Sequence, residues 1–339
     1  MPQSEDKCLQ NQIWPISKYL SDYETLEKIG EGKYGKVYKV LEKKSTLHRA
    51  AKHINASKAS QKLRILEEIE VLKKLDHPNL IRLIGAYEDC GNFVQVLEYL
   101  PGGELFERIV ESPKELCEGD ISNLVRQICE GCRHLEEHSV VHLDLKPDNI
   151  VCTSLNGFNI KIVDFGLARI IDENGKGIRV MEGTPEFASP EVINFEPISL
   201  TTDMWSIGAM TFVLLTGLSP FLGDNNQETY NNIVECRYTF DEPEFDLISE
   251  SAKNFISSLL IIDQKLRLRA SHALAHPWLL NSYDFSTSQP PPAEGRRKRL
   301  KSMVSRFRWQ KAGRIAIACV RFRRGSSTTE EGNSLSVSS

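Results

Sequence analysis

The sequence predicts an α+β protein of two unequal lobes, a small β-rich one and a larger α-helical one, with a C-terminal regulatory helix. Three observations carry this reading. Residues 23–100 read as strands interrupted by one strong helical pattern, and residues 104–280 read as mainly helical. Residues 296–324 then hold twelve Lys or Arg and no Asp or Glu. A length of 339 residues is enough for two sizeable cores.

The elements follow in order. Residues 1–22 read as a polar leader; MPQSEDKCLQNQIW lacks the apolar run of a signal peptide. EKIGEGKYGKVYKVLEK reads as a hairpin and HRAAKHI as a strand. SQKLRILEEIEVLKKL has apolar residues at 63, 66, 69, 72 and 75, the spacing of one helix face. FVQVLEYL is a buried strand running into Pro101-Gly102-Gly103, a natural joint. This divides a small lobe (23–97) and a connecting strip (98–100) from a large lobe (101–280). Short strands are expected around HLDLKPDNIVC and IKIVDFG. STSQPPPAEG (286–295) is a linker, because three consecutive prolines cannot sit inside a helix. Residues 281–324 form a regulatory segment, and 325–339 have too few apolar groups to order themselves.

Composition narrows the functional classes. No stretch reaches the roughly 18–20 apolar residues that a membrane span needs. No membrane span and no nucleic-acid partner are expected. A cytoplasmic setting follows, with the eight cysteines reduced. Cys129 and Cys132 form a C-x-x-C near His134, His138 and His142, which raises a zinc or redox site. Both cysteines also fall on the apolar stripe at 121, 124, 125, 128, 129, 132 and 135, which makes them small core hydrophobes. Net charge is −4 overall, so outside the twelve-cation segment the chain carries −4 − 12 = −16. An acidic body with a basic tail suits a tail that folds back or meets an acidic partner.

Four motifs carry chemistry. Gly30-Glu31-Gly32-Lys33-Tyr34-Gly35, followed by Val37, is a glycine-rich turn flanked by strands, which lets backbone N–H groups approach a phosphate chain. Lys52 closes the next strand, and Glu68, sixteen residues on, lies on the predicted helix and can hold it in place. His142-Leu143-Asp144-Leu145-Lys146-Pro147-Asp148-Asn149 and Asp164-Phe165-Gly166 follow. Phosphoryl transfer needs a carboxylate to orient the attacking hydroxyl, for which Asp144 is suited. It also needs hard oxygen ligands for Mg²⁺, for which Asn149 and Asp164 are suited. Lys146 would steady the γ-phosphate. A glycine-rich hairpin or a solvated Lys is the plain alternative for each motif alone; their order and spacing together point to ATP and Mg²⁺.

Residues 23–280 resemble a complete eukaryotic protein kinase domain. HLDLKPDN, DFGLAR, GTPEFASPE, TDMWSIG and GLSPFLGD resemble the calcium/calmodulin-dependent Ser/Thr kinases, and the myosin light chain kinase family most of all. The resemblance implies an ATP site of Ile29, Gly30, Glu31, Gly32, Lys33, Tyr34, Gly35, Val37, Ala50, Lys52, Leu97, Glu98, Leu100, Glu104 and Val151. Leu97 would be the gatekeeper and 98–100 the adenine-binding hinge. Leu72, Leu83, His142 and Phe165 match the stacked hydrophobic spine, Glu191 would pair with Arg267, and Asp203 would anchor the catalytic loop. Lys146 with Thr184 fits Ser/Thr rather than tyrosine kinases. A catalytically silent scaffold is disfavoured, because every chemical position is filled. A relative with the same regulation but another substrate, of the death-associated or giant-muscle-protein type, is the alternative.

Two departures agree with each other. Leu143 stands where many kinases carry a phosphate-binding Arg, and LARIIDENGKGIRVMEG (167–183) contains no Ser, Thr or Tyr. Activity should not depend on phosphorylation of that segment, and control must come from elsewhere. The tail supplies it. Trp309, Ala312, Ala316 and Val320 share one helical face, with Lys311, Arg314 and Arg321 opposite. A basic amphipathic helix suits calcium-loaded calmodulin, with Trp309, Ala316 and Phe322 as contacts; RFRWQKAG resembles the calmodulin-binding segment of the family. Binding to anionic lipid and a nuclear-localisation patch at RRKRLK are the competing readings. The expectation is that 281–308 block an acidic substrate groove until calmodulin withdraws them. The expected substrate is a protein with basic residues near its Ser or Thr, by resemblance the myosin regulatory light chain of actomyosin.

Overall fold

A computed structural model describes residues 12–32, 35–172, 177–180, 185–280 and 295–309. The small lobe is a six-stranded sheet. Its strands are β1 (Ile13–Trp14), β2 (Tyr23–Gly32), β3 (Gly35–Glu42), β4 (His48–Asn55), β5 (Leu83–Asp89) and β6 (Asn92–Glu98). They lie in the order β1-β5-β6-β4-β3-β2, with β1 parallel to β5 and the others antiparallel. Helix α1 (Ile16–Asp22) precedes β2, and α2 (Ala59–Lys74) covers the inner face. Of the predicted stripe, Ile69, Leu72 and Leu75 are buried and Leu66 is half-buried, but Leu63 is exposed, and Ile65 and Val71 join the buried face instead.

The leader differs from the expectation of a polar stretch without structure. Within 1–22, residues 13–22 form β1 and α1 and complete the small lobe. Tyr19 and Tyr23 stack at 5.5 Å, and Tyr19 hydrogen-bonds His53 Nε2 at 3.0 Å. A two-residue strand has no readable period; tertiary pairing with β5 and the aromatic cluster hold it.

The large lobe contains α3 (Leu105–Glu111), α4 (Glu118–Glu137), β7 (Val140–Val141), β8 (Ile150–Cys152), β9 (Ile160–Ile162), β10 (Arg169–Ile170), α5 (Pro190–Ile193), α6 (Thr202–Thr216), α7 (Asn226–Val234), α8 (Glu250–Leu259) and α9 (Ala270–Ala273). Every residue of α6 is buried. It is apolar nearly all round and serves as the post on which the lobe is built. One hydrophobic core runs from Ile54 and Leu72 in the small lobe through α4 and α6.

A final helix, α10, spans 295–309. Leu300, Met303, Val304 and Phe307 recur at i, i+3, i+4 and i+7 and join the core of the large lobe. Its cations meet the lobe as well. Arg297 Nε donates to Val110 O at 2.9 Å, and Arg299 donates to Thr216 O at 2.8 and 3.0 Å. Arg299 also pairs with Glu244 at 2.7 Å.

Candidate active site

Strand register assembles the nucleotide side. Gly30 lies opposite Val37, Val37 opposite Lys52, and Ala50 opposite Leu97. Gly35 has φ +151°, and a Cβ there would sit 2.0 Å from His53 O, so only glycine closes this turn. Gly102 is equally constrained: a Cβ would lie 2.4 Å from Cys152 O. Glu98 turns its carboxylate to Lys161 at 2.8 Å and to the Arg82 N–H at 2.8 Å, which leaves only its backbone to serve adenine. Glu104 bridges Val151 on β8, so these two expected contacts are neighbours at the mouth of the large lobe. Ile29 is partly exposed on β2. Lys33 and Tyr34 lie outside the described residues.

The predicted polar residues converge. Lys52 Nζ lies 2.7 Å from Glu68 Oε1 and 3.7 Å from Asp164 Oδ1. Lys146 Nζ donates to Asp144 Oδ2 at 2.6 Å. Asn149 Nδ2 donates to Asp144 O at 2.7 Å and to Asp144 Oδ2 at 3.1 Å, which leaves its amide oxygen available to a cation. Burial pushes the Asp164 carboxyl up. The Lys52 charge, the His142 ring, the Lys146 charge and the Gly166 N–H outweigh it, so the net shift is downward and the carboxylate stays ionised. Asp164 and Leu143 adopt left-handed backbone, φ +64° and +67°. Such strain persists only where surroundings impose it.

Those surroundings are visible. Asp203, on the first turn of α6, accepts the His142 N–H at 2.6 Å and the Leu143 N–H at 2.9 Å. Burial raises its carboxyl, opposed by the His142 ring and these two amides. His142 and Phe165 rings meet edge-on at 4.8 Å, and Leu72 and Leu83 are buried with them. Glu191 and Arg267 form a buried two-pronged pair at 2.7 and 3.0 Å. Leu143 packs with Val141, Leu167, Val180, Val192 and Ile198. Apolar packing therefore holds the described parts of 167–183 in the place of a phosphate–arginine pair. Thr184 lies outside the described residues.

The hard-oxygen pair Asn149 and Asp164, with Lys52 beside them, fits a magnesium-bound triphosphate. Cys129 and Cys132 of the C-x-x-C are buried on α4 within the hydrophobic core, and burial pushes both thiols up. Among the described residues no cluster of three or more His, Cys, Asp or Glu is arranged to hold a metal.

Sequence reasoning missed the acidic partners of the tail. Arg306 pairs with Glu186 at 2.9 Å and Arg308 with Glu107 at 2.6 Å. Val304, Phe307 and Arg308 share a cleft with Glu104, Pro147 and Asp148 of the catalytic loop region. The stripe 300/303/304/307 was available in the sequence; the identity of the acids was not. Trp309 is 81% exposed, on the solvent side. Ala316 and Phe322 lie outside the described residues, as do 281–294.

A glycine turn, a Lys–Glu pair, an Asp–Lys–Asn loop and a second Asp around one cleft define a protein kinase. The protein kinase domain profile matches residues 23–279, and the chain belongs to that family. Within it, the chain groups with the myosin light chain kinases. It is 48% identical over 269 residues to myosin light chain kinase family member 4 of Homo sapiens, covering 79% of this chain and 67% of that protein. It is 44% identical over 308 residues to human myosin light chain kinase 2, skeletal/cardiac muscle, covering 89% and 50%. It is 44% identical over 291 residues to the smooth-muscle myosin light chain kinase of Gallus gallus, covering 86% and 15%. The chain thus spans half or less of the length of these last two relatives. Among solved structures, the twitchin kinase region of C. elegans matches with TM-score 0.81 and 34% identity, over 91% of this chain and 56% of that one. The autoinhibited serine kinase domain of titin matches with TM-score 0.76 and 33% identity, over 83% and 87%. Among the described residues no helix is long and apolar enough to cross a membrane.

Proposed function

We propose that this chain transfers the γ-phosphate of Mg·ATP to a protein Ser or Thr flanked by basic residues, that α10 holds it off, and that calcium-loaded calmodulin releases it. Lys52, fixed by Glu68, would orient the α- and β-phosphates, and Asn149 and Asp164 would hold the magnesium. The metal, when bound, neutralises charge on the phosphates. Asp144 would align the acceptor hydroxyl and take its proton, while Lys146 would steady the transferring group. Because Asp203 fixes the loop through two backbone amides, these side chains need little rearrangement to act.

The observation that carries the regulatory part is the seat of Arg306 and Arg308 on Glu186 and Glu107, beside the catalytic loop. A substrate with basic flanking residues would use the same acids, so the helix and the substrate compete. Myosin regulatory light chain in an actomyosin setting is the substrate that the relatives' names favour. The exposed indole of Trp309 gives calmodulin a starting grip. To move a 99:1 closed state to 1:99, calmodulin must favour the open state by about 5.5 kcal/mol. The test is peptide and light-chain phosphorylation by the full chain with and without calcium–calmodulin. Stimulation is expected, and Trp309→Ala should remove it. A full chain indifferent to calmodulin would refute the regulatory reading.

A further inference from the structure

We infer that Ser302 is a phosphate acceptor that becomes readable when α10 leaves the lobe and that, once modified, opposes its return. The inference rests on the reading that docked α10 inhibits the enzyme.

The sequence supplies the acceptor. Among the described residues, Ser302 is the one Ser or Thr standing three residues after an arginine, in Arg299-Leu300-Lys301-Ser302. Between 295 and 309 the chain holds seven Lys or Arg and no acid, the setting that basic-directed Ser/Thr kinases read through their acidic grooves. Ser305, the other serine of the helix, has Ser302 at that upstream position, and its hydroxyl donates to Lys301 O at 2.9 Å.

The structure supplies the gate. The hydroxyl of Ser302 lies on the exposed face with Lys298, Lys301 and Ser305. Arg299 does not: its guanidinium is committed to Thr216 O and Glu244. A second kinase would meet the acceptor without the arginine that marks it. Undocking frees both at once. In the transfer, Ser302 Oγ bonds to the γ-phosphorus of ATP on that kinase and the bond to the β-phosphate oxygen breaks. ADP leaves, and the hydroxyl proton passes to that kinase's carboxylate.

The geometry also sets the consequence. Arg306 lies one turn beyond Ser302, at i+4, where side chains on a helix meet. A phosphate carrying about −1.5 to −2 charges offers Arg306 an anion on its own helix that competes with Glu186. It also sets that charge against a lobe surface bearing Glu107, Glu186 and Glu244, all of which α10 now neutralises. The docked state loses a pair whose carboxylate is 7% exposed and gains repulsion.

The experiment uses the full chain. Asp144→Asn protein, which cannot label itself, is incubated with Mg·ATP and a basic-directed Ser/Thr kinase, and phosphate at Ser302 is quantified by peptide mass. Labelling should rise several-fold when Phe307→Ala loosens the helix. Chain carrying phosphoserine at 302 is then compared with unmodified and Ser302→Ala chain. Amide hydrogen exchange over 300–309 and calcium-independent phosphorylation of a basic peptide are the readouts. We expect faster exchange and roughly three- to tenfold more basal activity with phosphate, and no change for Ser302→Ala. Equal labelling of docked and loosened chains, or unchanged exchange with phosphate in place, overturns the inference. Faster exchange without a gain in activity would instead leave Ser302 standing and remove the inhibition reading.

Discussion

Phe307→Ala isolates the apolar part of the docked tail. The Phe307 ring is 7% exposed and lies 6.1 Å from the ring of Phe187, which itself belongs to the core of the large lobe. Fully burying a phenylalanine side chain is worth about 1.5–3 kcal/mol. A loss of about 2 kcal/mol shifts the docking equilibrium by roughly 30-fold, since about 1.4 kcal/mol is a factor of ten. If docked chain is about 99% of the total, the open fraction rises from about 1% to about 23%. The assay is the initial rate of phosphorylation of a basic serine peptide without calcium. It should increase roughly twentyfold, while Lys301→Ala, on the exposed face, should leave the rate within about a factor of two. A Phe307→Ala rate equal to wild type, in a protein whose chain ending at Ser282 is highly active, would refute the assignment of inhibition to this contact.

Other outcomes follow from the same geometry. Arg267→Met should destabilise the large lobe by about 3–5 kcal/mol in denaturant unfolding, because it strands a buried Glu191 carboxylate. The double variant with Glu191→Leu should recover a large part of that loss. Asp144→Asn should lower kcat by about 10²–10⁴ with little change in ATP affinity by isothermal titration. Burial lowers the pKa of His53, His77, His134 and His276. The unfolded chain then binds more protons, so this stability is whole above the ordinary value of 6.5 and drains as pH falls through the folded values. The melting temperature should therefore drop between pH 7.5 and 5.5; a rise would contradict the assignment. Elemental analysis should find no stoichiometric zinc, and a chelator should leave the melting curve unchanged, given the neutral buried thiols of Cys129 and Cys132.

The candidate constellation was readable because each position sits in a short motif whose chemistry is local to the chain. Asp144, Lys146 and Asn149 fall within six residues, and Lys52 and Glu68 announce themselves by strand and helix context. The apolar stripe of α4 was equally direct; that of α2 was misplaced at its start, where Ile65 and not Leu63 is buried. What the sequence hid depends on distant partners. Arg308 and Glu107 are 201 positions apart, and nothing in either neighbourhood names the other. The stripe 300/303/304/307 lay within a run of cations, where charge drew attention to the basic face. Residues 13–22 looked like a leader because Ile13 and Trp14 are too few to show alternation. They become structural only once β5 is present to pair with them. Leu143 could be read as a departure from a pattern, but its role in an apolar cluster with Leu167 and Val180 required the fold.

On the proposed reading, control and catalysis meet in the seat of α10 beside the candidate site. The most direct measurement compares peptide phosphorylation, without calmodulin, by the full chain and by a chain ending at Ser282. A gain approaching about 100-fold on removing the tail is predicted, as expected for a state closed about 99% of the time. Equal rates would mean that the helix does not govern the enzyme, and absence of transfer by both would mean that the assembled cleft is not competent.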